Sequence, residues 1–495
     1  MIEAILLTIF LGKCSLANEI ALFLHPVVTP NLRPNHTVRL QATRAYEVNK
    51  PNHTITSPAT KDHVTLTLTS RNLSHCMVPV VWSRVDDIRR LTALVPGLST
   101  ERKESNPACS TRDADFTRFR SLATHVHRLK LFRHPSRPWR LDDATWAALV
   151  AQADASPLLP NLRQVTLYLD TIERPWHQLL VTSSLVDIQI RSLATSVLKA
   201  FGIRNILQNC SKIRTLSLIT SAHLNSRPRE TSSLSSFMLS CRQLRTLTIS
   251  SRALNATILS SIGELSDLGM LGIYTETSSR TSQLSAAMPL QVGSFPALTF
   301  LSFVGIPVLD VASLPNLAPL FKNVTTLSFT IEIQERENLL WSMACQAIRI
   351  SLNVTELCLD FEGQRSSPVE PSRAFLSSLK LLPLKTFVLN GAFVRSSVEF
   401  LSLVHNLPPE LVILHIHSQM VDFEALLPVA AHLTHMRELR LGILASEGIS
   451  RALLRSAGQN SRPSPQSTLY DFLFDVRIVP DFGTLSNTRR KHISR

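Results

Sequence analysis

Apolar residues along this chain follow two alternating rhythms. The first is a six-residue motif, apolar-x-x-apolar-x-apolar. It recurs as VHRLKL (from Val126), LRQVTL (Leu162), LVDIQI (Leu185), IRTLSL (Ile213), LRTLTI (Leu244) and LGMLGI (Leu268). It continues as LTFLSF (Leu298), VTTLSF (Val324), VTELCL (Val354), LKTFVL (Leu384), LVILHI (Leu411) and MRELRL (Met436). The alternation in its second half predicts a short strand, with the fourth and sixth residues turned into a core and the third, fifth and seventh turned out. The second rhythm has helical spacing and lies between the motifs. WAALVAQA, TSSLSSFMLSC, TILSSIGEL, SSVEFLSLVHNL and DFEALLPVAAHL each place apolar residues three and four apart. Ser396-x-x-Glu399 has the spacing of a capping box, and Asp422 stands where a helix start is expected.

Eleven intervals separate the twelve motifs, over the 310 residues from Val126 to Met436, and range from 23 to 36 residues. Their mean of about 28 lies in the range of leucine-rich repeats. A single strand-loop-helix-loop unit cannot bury both its strand and its helix, so units must stack. The expected fold is an irregular α/β leucine-rich-repeat solenoid, with parallel strands lining a concave side and helices on the convex side. The Asn or Cys usual three residues after the last apolar position is replaced, for example by Ser221, Glu276 and Glu332, so the loops must satisfy their backbone groups by other means. Cys210 and Cys241 occupy one phase of successive repeats and read as small buried residues that close a helix. Asn323 and Asn353 also share a phase, which makes two of the seven Asn-x-Ser/Thr sequons by-products of the repeat.

The chain has 495 residues, 44% of them hydrophobic and 18% charged, which excludes global disorder. No apolar run approaches the ~20 residues of a membrane-spanning helix. GxGxxG, GxxxxGK[ST] and GxSxG are absent, so dinucleotide, P-loop and nucleophile-elbow enzymes lose their sequence support. Seven dispersed cysteines without a CxxC fit neither a disulfide framework nor a zinc knuckle and point to a reducing compartment. The net charge of +14 is concentrated in residues 1–140, which hold 20 Lys/Arg against 10 Asp/Glu. Residues 4–17 pair an apolar stretch with Ser15-Leu16-Ala17, but Glu3 precedes them without Lys or Arg, unlike a signal peptide. A cytoplasmic or nuclear protein is expected, with a secreted or surface ligand-binding protein as the alternative.

The outward positions outline a recognition surface. It opens on Arg128, Lys130 and Tyr168, turns apolar and aromatic at Met270, Tyr274, Phe300 and Val304, and ends mixed at Glu356, Asp360, His415, His417 and Arg440. Its charges are Arg128, Lys130, Arg191 and Arg440 against Asp187, Glu356, Asp360 and Glu438, which cancel. A nucleic-acid groove would be basic, so the expected partner is a protein, with no specific nucleic acid. Tyr274 and Phe300 are expected to stand exposed and to carry most of the binding energy. His415 and His417 lie two apart on one strand but lack the further ligands zinc requires, so no metal or other cofactor is expected. No nucleophile, base and orienter can be placed together, so no catalytic residue is assigned and a non-enzymatic protein is expected.

The segment LTLTSRNLSHCMVPVVWSRVDDIRRLTALVPG (66–97) resembles the second half of an F-box, with the pair Val81-Trp82 at the usual Leu-Trp position. MIEAILLTIFL (1–11) is similar to the opening helix of that motif, while residues 12–63 match nothing in it and separate its halves. With the array that follows, most of the chain looks like the F-box and leucine-rich-repeat proteins of mushroom-forming fungi. The resemblance implies a substrate receptor of an SCF ubiquitin ligase, with a Skp-family adaptor and a cullin as partners beside an unidentified captured protein. By position in the motif, Leu66, Leu68, Leu73, Val81, Trp82 and Ile88 would face the adaptor. The expected organisation is an F-box-like region (1–100), a charged linker (101–122), a solenoid of about twelve repeats (123–455), and a C-terminal cap with a basic tail (456–495). An intracellular repeat scaffold without a ubiquitin link fits residues from 126 onward equally.

Overall fold

The computed structural model describes residues 71–86, 89–95, 116–131, 143–168, 182–192, 212–220, 228–275, 290–304 apart from 292, 317–332, 337–362, 367–369, 371–394, 396–422, 425–444 and 475–477. The chain forms two compact units, Met1–Thr248 and Ile249–Arg495.

The first unit opens with helix α1 (Arg71–Trp82), strand β1 (Arg84–Val85) and the short helices α2 (Arg89–Thr92) and α3 (Thr117–Ala123). Then come β2 (Arg128–Leu131), α4 (Asp143–Ala155), β3 (Gln164–Tyr168), β4 (Asp187–Ser192), β5 (Thr215–Thr220) and α5 (Pro228–Ser240). Strands β1 to β5 pair in sequence order, each parallel to the last. Strand β6 (Thr246–Ser250) straddles the division between the units.

In the second unit, α6 (Ala256–Gly263), β7 (Met270–Tyr274), β8 (Phe300–Val304), α7 (Ala318–Phe321), β9 (Thr326–Glu332), α8 (Glu337–Ile350) and β10 (Glu356–Glu362) come first. They are followed by β11 (Ser367–Val369), α9 (Arg373–Leu379), β12 (Thr386–Asn390), β13 (Ala392–Val394), α10 (Ser397–Asn406), β14 (Ile413–Asp422), α11 (Leu426–His432), β15 (Glu438–Leu444) and β16 (Asp475–Arg477). Here the parallel sheet runs β7-β8-β9-β10-β12-β14-β15-β16, and β11 pairs with β13 in a small second sheet. Order, direction and alternation with helices make this the expected α/β leucine-rich-repeat solenoid.

Burial follows the period of the sequence. The first, fourth and sixth positions of all twelve motifs are buried, from Val126 (0%), Leu129 (1%) and Leu131 (0%) to Met436 (8%), Leu439 (3%) and Leu441 (2%). In the second unit aromatic rings fill the space behind the strands. Phe303 stacks on Phe329 at 5.4 Å, and Trp341 lies 4.7 Å from Phe375 and 6.0 Å from Phe361. The capping box at Ser396 is formed in both directions, Glu399 N–H to the Ser396 hydroxyl and Ser396 N–H to the Glu399 carboxylate, each 3.2 Å.

Asp422 does not start a helix as its position suggested. Strand β14 shifts register between His415 and Met420 and stays paired with β15 as far as Asp422, so the helix begins only at Leu426. Pro428 fits in its first turn, where a missing N–H costs nothing.

The turns show how the loops manage without the usual side-chain ladder. The first residue of most motifs donates its N–H to the carbonyl three residues back, as in Leu244 to Cys241 (2.9 Å) and Val324 to Phe321 (3.2 Å). This explains the phase of Cys241: it is a buried turn residue, and burial pushes its thiol up to about 11. A second bond joins successive repeats through the residue before the motif. Asn161 donates to the Thr124 carbonyl (2.7 Å), Ser184 to Pro160 (2.8 Å), Asn323 to Pro296 (3.1 Å) and Asn353 to Lys322 (3.0 Å). In each case the acceptor lies two residues before the preceding motif. At the position where the repeat usually carries Asn, Gln419 accepts from the Val394 N–H (2.6 Å) and donates to its carbonyl (3.3 Å).

Candidate functional site

Strand periodicity turns one residue in two away from the core, and parallel pairing lines those residues up in rows across the sheet. Neighbouring strands place outward side chains about 4.8 Å apart, so an outward residue in the middle of a row can lose most of its exposure to its neighbours. The rows of the two units carry different chemistry.

In the first unit the rows are polar. Arg84 pairs in register with exposed Arg128, and Asp86 lies 3.5 Å from Arg84 and 3.8 Å from Lys130. Farther along the Arg128 row is Asp187. Burial pushes its carboxyl up to about 7, against the opposing pull of the Arg128 guanidinium and a hydrogen bond from Gln189. Tyr168 sits on β3 in register with Arg191, and its side chain lies outside the description.

In the second unit the rows begin apolar. Met270 and Phe300 are register partners and half-buried. Tyr274 and Val304, the outward pair beyond Gly272 and Ser302, are 8% and 9% exposed. This overturns the expected exposure of Tyr274 and Val304: the adjacent strands cover both, and Phe300 and Met270 are the more accessible residues of this apolar patch. The β9 positions Thr326, Ser328 and Thr330 separate this patch from half-buried Glu356 and Asp360 on β10, and the Thr326 hydroxyl donates to Glu356 (3.3 Å).

Toward the end of the sheet, His415 is 4% exposed between Val388 and Arg440 in its row. It lies within 3.0 Å of the Glu438 carboxylate, which Arg440 also holds at 2.6 Å. His415 therefore lies buried against Glu438 and Arg440 rather than displayed on the surface. His417 follows on the same strand, with its side chain outside the description. Among the described residues, no three potential metal ligands come together.

Of the residues that the F-box resemblance assigns to an adaptor, Val81 and Trp82 are half-buried at the C-terminal end of α1, and Leu73 lies on the same helix with its side chain outside the description. Leu66, Leu68 and Ile88 fall outside the described residues. What sequence reading missed is the strand that follows Trp82. Ser83 accepts from the N–H groups of His127 (3.0 Å) and Arg128 (2.9 Å), which locks β1 onto the first repeat. Its only signal was the alternation Arg84-Val85-Asp86, too short to read as a strand. No helix among the described residues is long and apolar enough to cross a membrane.

Compared with known proteins, the chain matches no protein-family model, and no curated protein matches it. Among solved structures it is similar to the leucine-rich-repeat-containing protein LegL7 from Legionella pneumophila, with 14% identity and a TM-score of 0.35, covering 68% of this chain and 99% of that one. It is also similar to a chain of the TLR13-ssRNA13 complex, with 14% identity and a TM-score of 0.30, covering 66% of this chain and 54% of that one.

Proposed function

We propose that this chain is a non-enzymatic protein-recognition module that captures a protein on the outward face of its sheet. The observation that carries the reading is the contrast between the two sides of the strands. The inward positions repeat one apolar type and are uniformly buried, while the outward ones change from charged to aromatic to acidic along the array. Core packing needs only the first pattern, so the variation on the second side is free to serve a partner. We further propose that the 1–100 region docks on a Skp-family adaptor and, through it, a cullin. The captured protein would then be held near ubiquitin-transferring subunits that perform the chemistry.

The face is tested by placing a photo-crosslinking residue at Phe300 and, as control, at exposed Ser342 on α8. Adducts at Phe300 and none at Ser342 are expected; the reverse would move the site to the helices. The ligase half is tested by co-purification from a fungal extract with wild type and a folded Leu68→Ala/Trp82→Ala variant. Adaptor and cullin recovered with the wild type alone are expected. Their absence from both leaves a repeat scaffold without a ubiquitin link.

A further inference from the structure

We propose that the edge of the sheet at which strands β3–β6 begin binds an acidic segment of a partner protein in extended conformation. This edge is separate from the outward face, and its chemistry is set by the second position of the strand motif and by the turn before it.

In the repeats of β8, β9 and β10 the second position is Thr299, Thr325 and Thr355. Each hydroxyl donates to the carbonyl at the same position one repeat earlier, Gly269, Thr299 and Thr325 in turn, at 3.3 Å. There the position serves the joint between repeats. From β3 to β6 it holds Arg163, Val186, Arg214 and Arg245 instead. The backbone ladder still runs through it, from the Val186 N–H to Arg163 (2.9 Å), Arg214 to Val186 (2.9 Å) and Arg245 to Arg214 (2.8 Å). The joint is thus made by main chain, and the three arginine side chains are left over. The turns add Lys212 and Arg242, and Lys212 stands at the phase where Asn161, Ser184, Asn323 and Asn353 fasten their repeats. All five cations are exposed, and no hydrogen bond or ion pair joins any of their side chains to another described residue.

Little nearby offsets them. Among the described residues of 161–248 the carboxylates are Asp187 and Glu230. Burial pushes the first up to about 7, so it is only partly charged near neutrality. The second lies at the start of α5, ten residues of helix or about 15 Å from the end that leads into the Arg242 turn. Asp154, exposed near the end of α4, forms no ion pair with any of the five. Like charges held this close repel, and a carboxylate ligand relieves that repulsion while matching the planar fork of each arginine.

The spacing sets the ligand's shape. Neighbouring strands are about 4.8 Å apart, which puts Arg214 about 10 Å and Arg245 about 14 Å along the edge from Arg163. An extended chain presents alternate residues on one side about 6.7 Å apart, so three alternating Asp or Glu residues cover about 13 Å. A single-stranded nucleic acid would also want aromatic rings on which to stack its bases, and the residues between these charges, Ser184, Val186 and Gln243, offer none.

The test uses the full chain and three labelled probes, read by fluorescence anisotropy: a 12-residue peptide of alternating Glu and Ser, the same peptide with Lys for Glu, and an oligothymidylate of the same charge as the first. The Glu/Ser peptide is expected to bind tightest and to weaken about tenfold on Arg214→Gln/Arg245→Gln. Lys322→Gln/Lys385→Gln removes the same charge from exposed edge positions of the second unit and should leave its affinity unchanged. Three results would overturn the proposal: no binding of the Glu/Ser peptide, equal losses in the two double variants, or oligothymidylate binding as tightly as the peptide or more so. Should the arginine variant unfold, Lys212→Gln/Arg242→Gln in the preceding turns is expected to show the same loss, and unchanged affinity there again overturns the proposal. Peptide binding at this edge and crosslinking at Phe300 report on separate surfaces, so the failure of either leaves the other standing.

Discussion

In the N-terminal unit, outward charges lie against one another: Asp86 between Arg84 and Lys130, and Asp187 in the row of Arg128 with its carboxyl pushed up to about 7. In the C-terminal unit, the rows of β7 and β8 hold no charge at all, and an aromatic cluster around Trp341 fills the core behind β10. The inward positions of the two units are interchangeable in type, so the repeat itself does not explain the contrast. Between its helices the first unit has a polar staple. Arg120 of α3 donates to the Gln152 side chain and carbonyl, both at 2.9 Å, and to the Ser156 hydroxyl at the end of α4. The second unit, besides its Asn323 and Asn353 bonds, buries large rings between its helices and strands. A shared strand pattern thus leaves both the surface chemistry and the means of cohesion open to local choice.

Removing the largest ring should break this contrast most sharply. Trp341→Ala is expected to cost about 3–5 kcal/mol, read as lost hydrogen-exchange protection in peptides covering 337–379. Unchanged protection there would mean that the aromatic cluster is not what holds the second unit. A smaller effect should follow from Arg120→Ala, about 1.5–3 kcal/mol from the loss of charge-assisted bonds. It would be seen in denaturant unfolding and in exchange at the last turn of α4, and Arg120→Lys should recover only part of it because the bonds need a planar fork.

The most diagnostic effect, read as a slope with pH rather than as a size, concerns Asp187. The native state keeps its proton up to about pH 7, while an unfolded chain releases it near 3.8, so the wild type loses stability as pH rises between those values. Asp187→Asn removes that slope. The melting temperature of the variant relative to wild type should therefore rise from pH 4 to pH 7.5, and a difference independent of pH would show that Asp187 is not buried in its row.

The strands and their inward faces were legible because apolar alternation has a single structural meaning once one side is buried, and Leu271, Phe303 and Leu359 stand where the motif put them. The capping box at Ser396 was equally plain, since it needs only residues three apart. Exposure on the outward face was not legible. The burial of Tyr274 and His415 depends on what the adjacent strands carry in the same row, and that follows from register, which a motif list leaves unstated. The staple at Asn323 and Asn353 did leave a trace as a shared phase, yet its partner is a backbone carbonyl about thirty residues earlier, and a carbonyl has no sequence signature. Asp422 misled because a polar residue before an apolar run suits a helix start and the end of a long strand alike.

The bond from Asn161, Ser184, Asn323 or Asn353 to the preceding repeat carries an evolutionary consequence. Each donor sits in the later repeat, and each acceptor is a main-chain oxygen that any predecessor offers. A repeat duplicated, deleted or moved by recombination therefore brings its own fastening and asks no particular side chain of the unit before it. Such an array can change length and face while keeping its joints, and the spread of its intervals from 23 to 36 residues is the pattern such a history would leave.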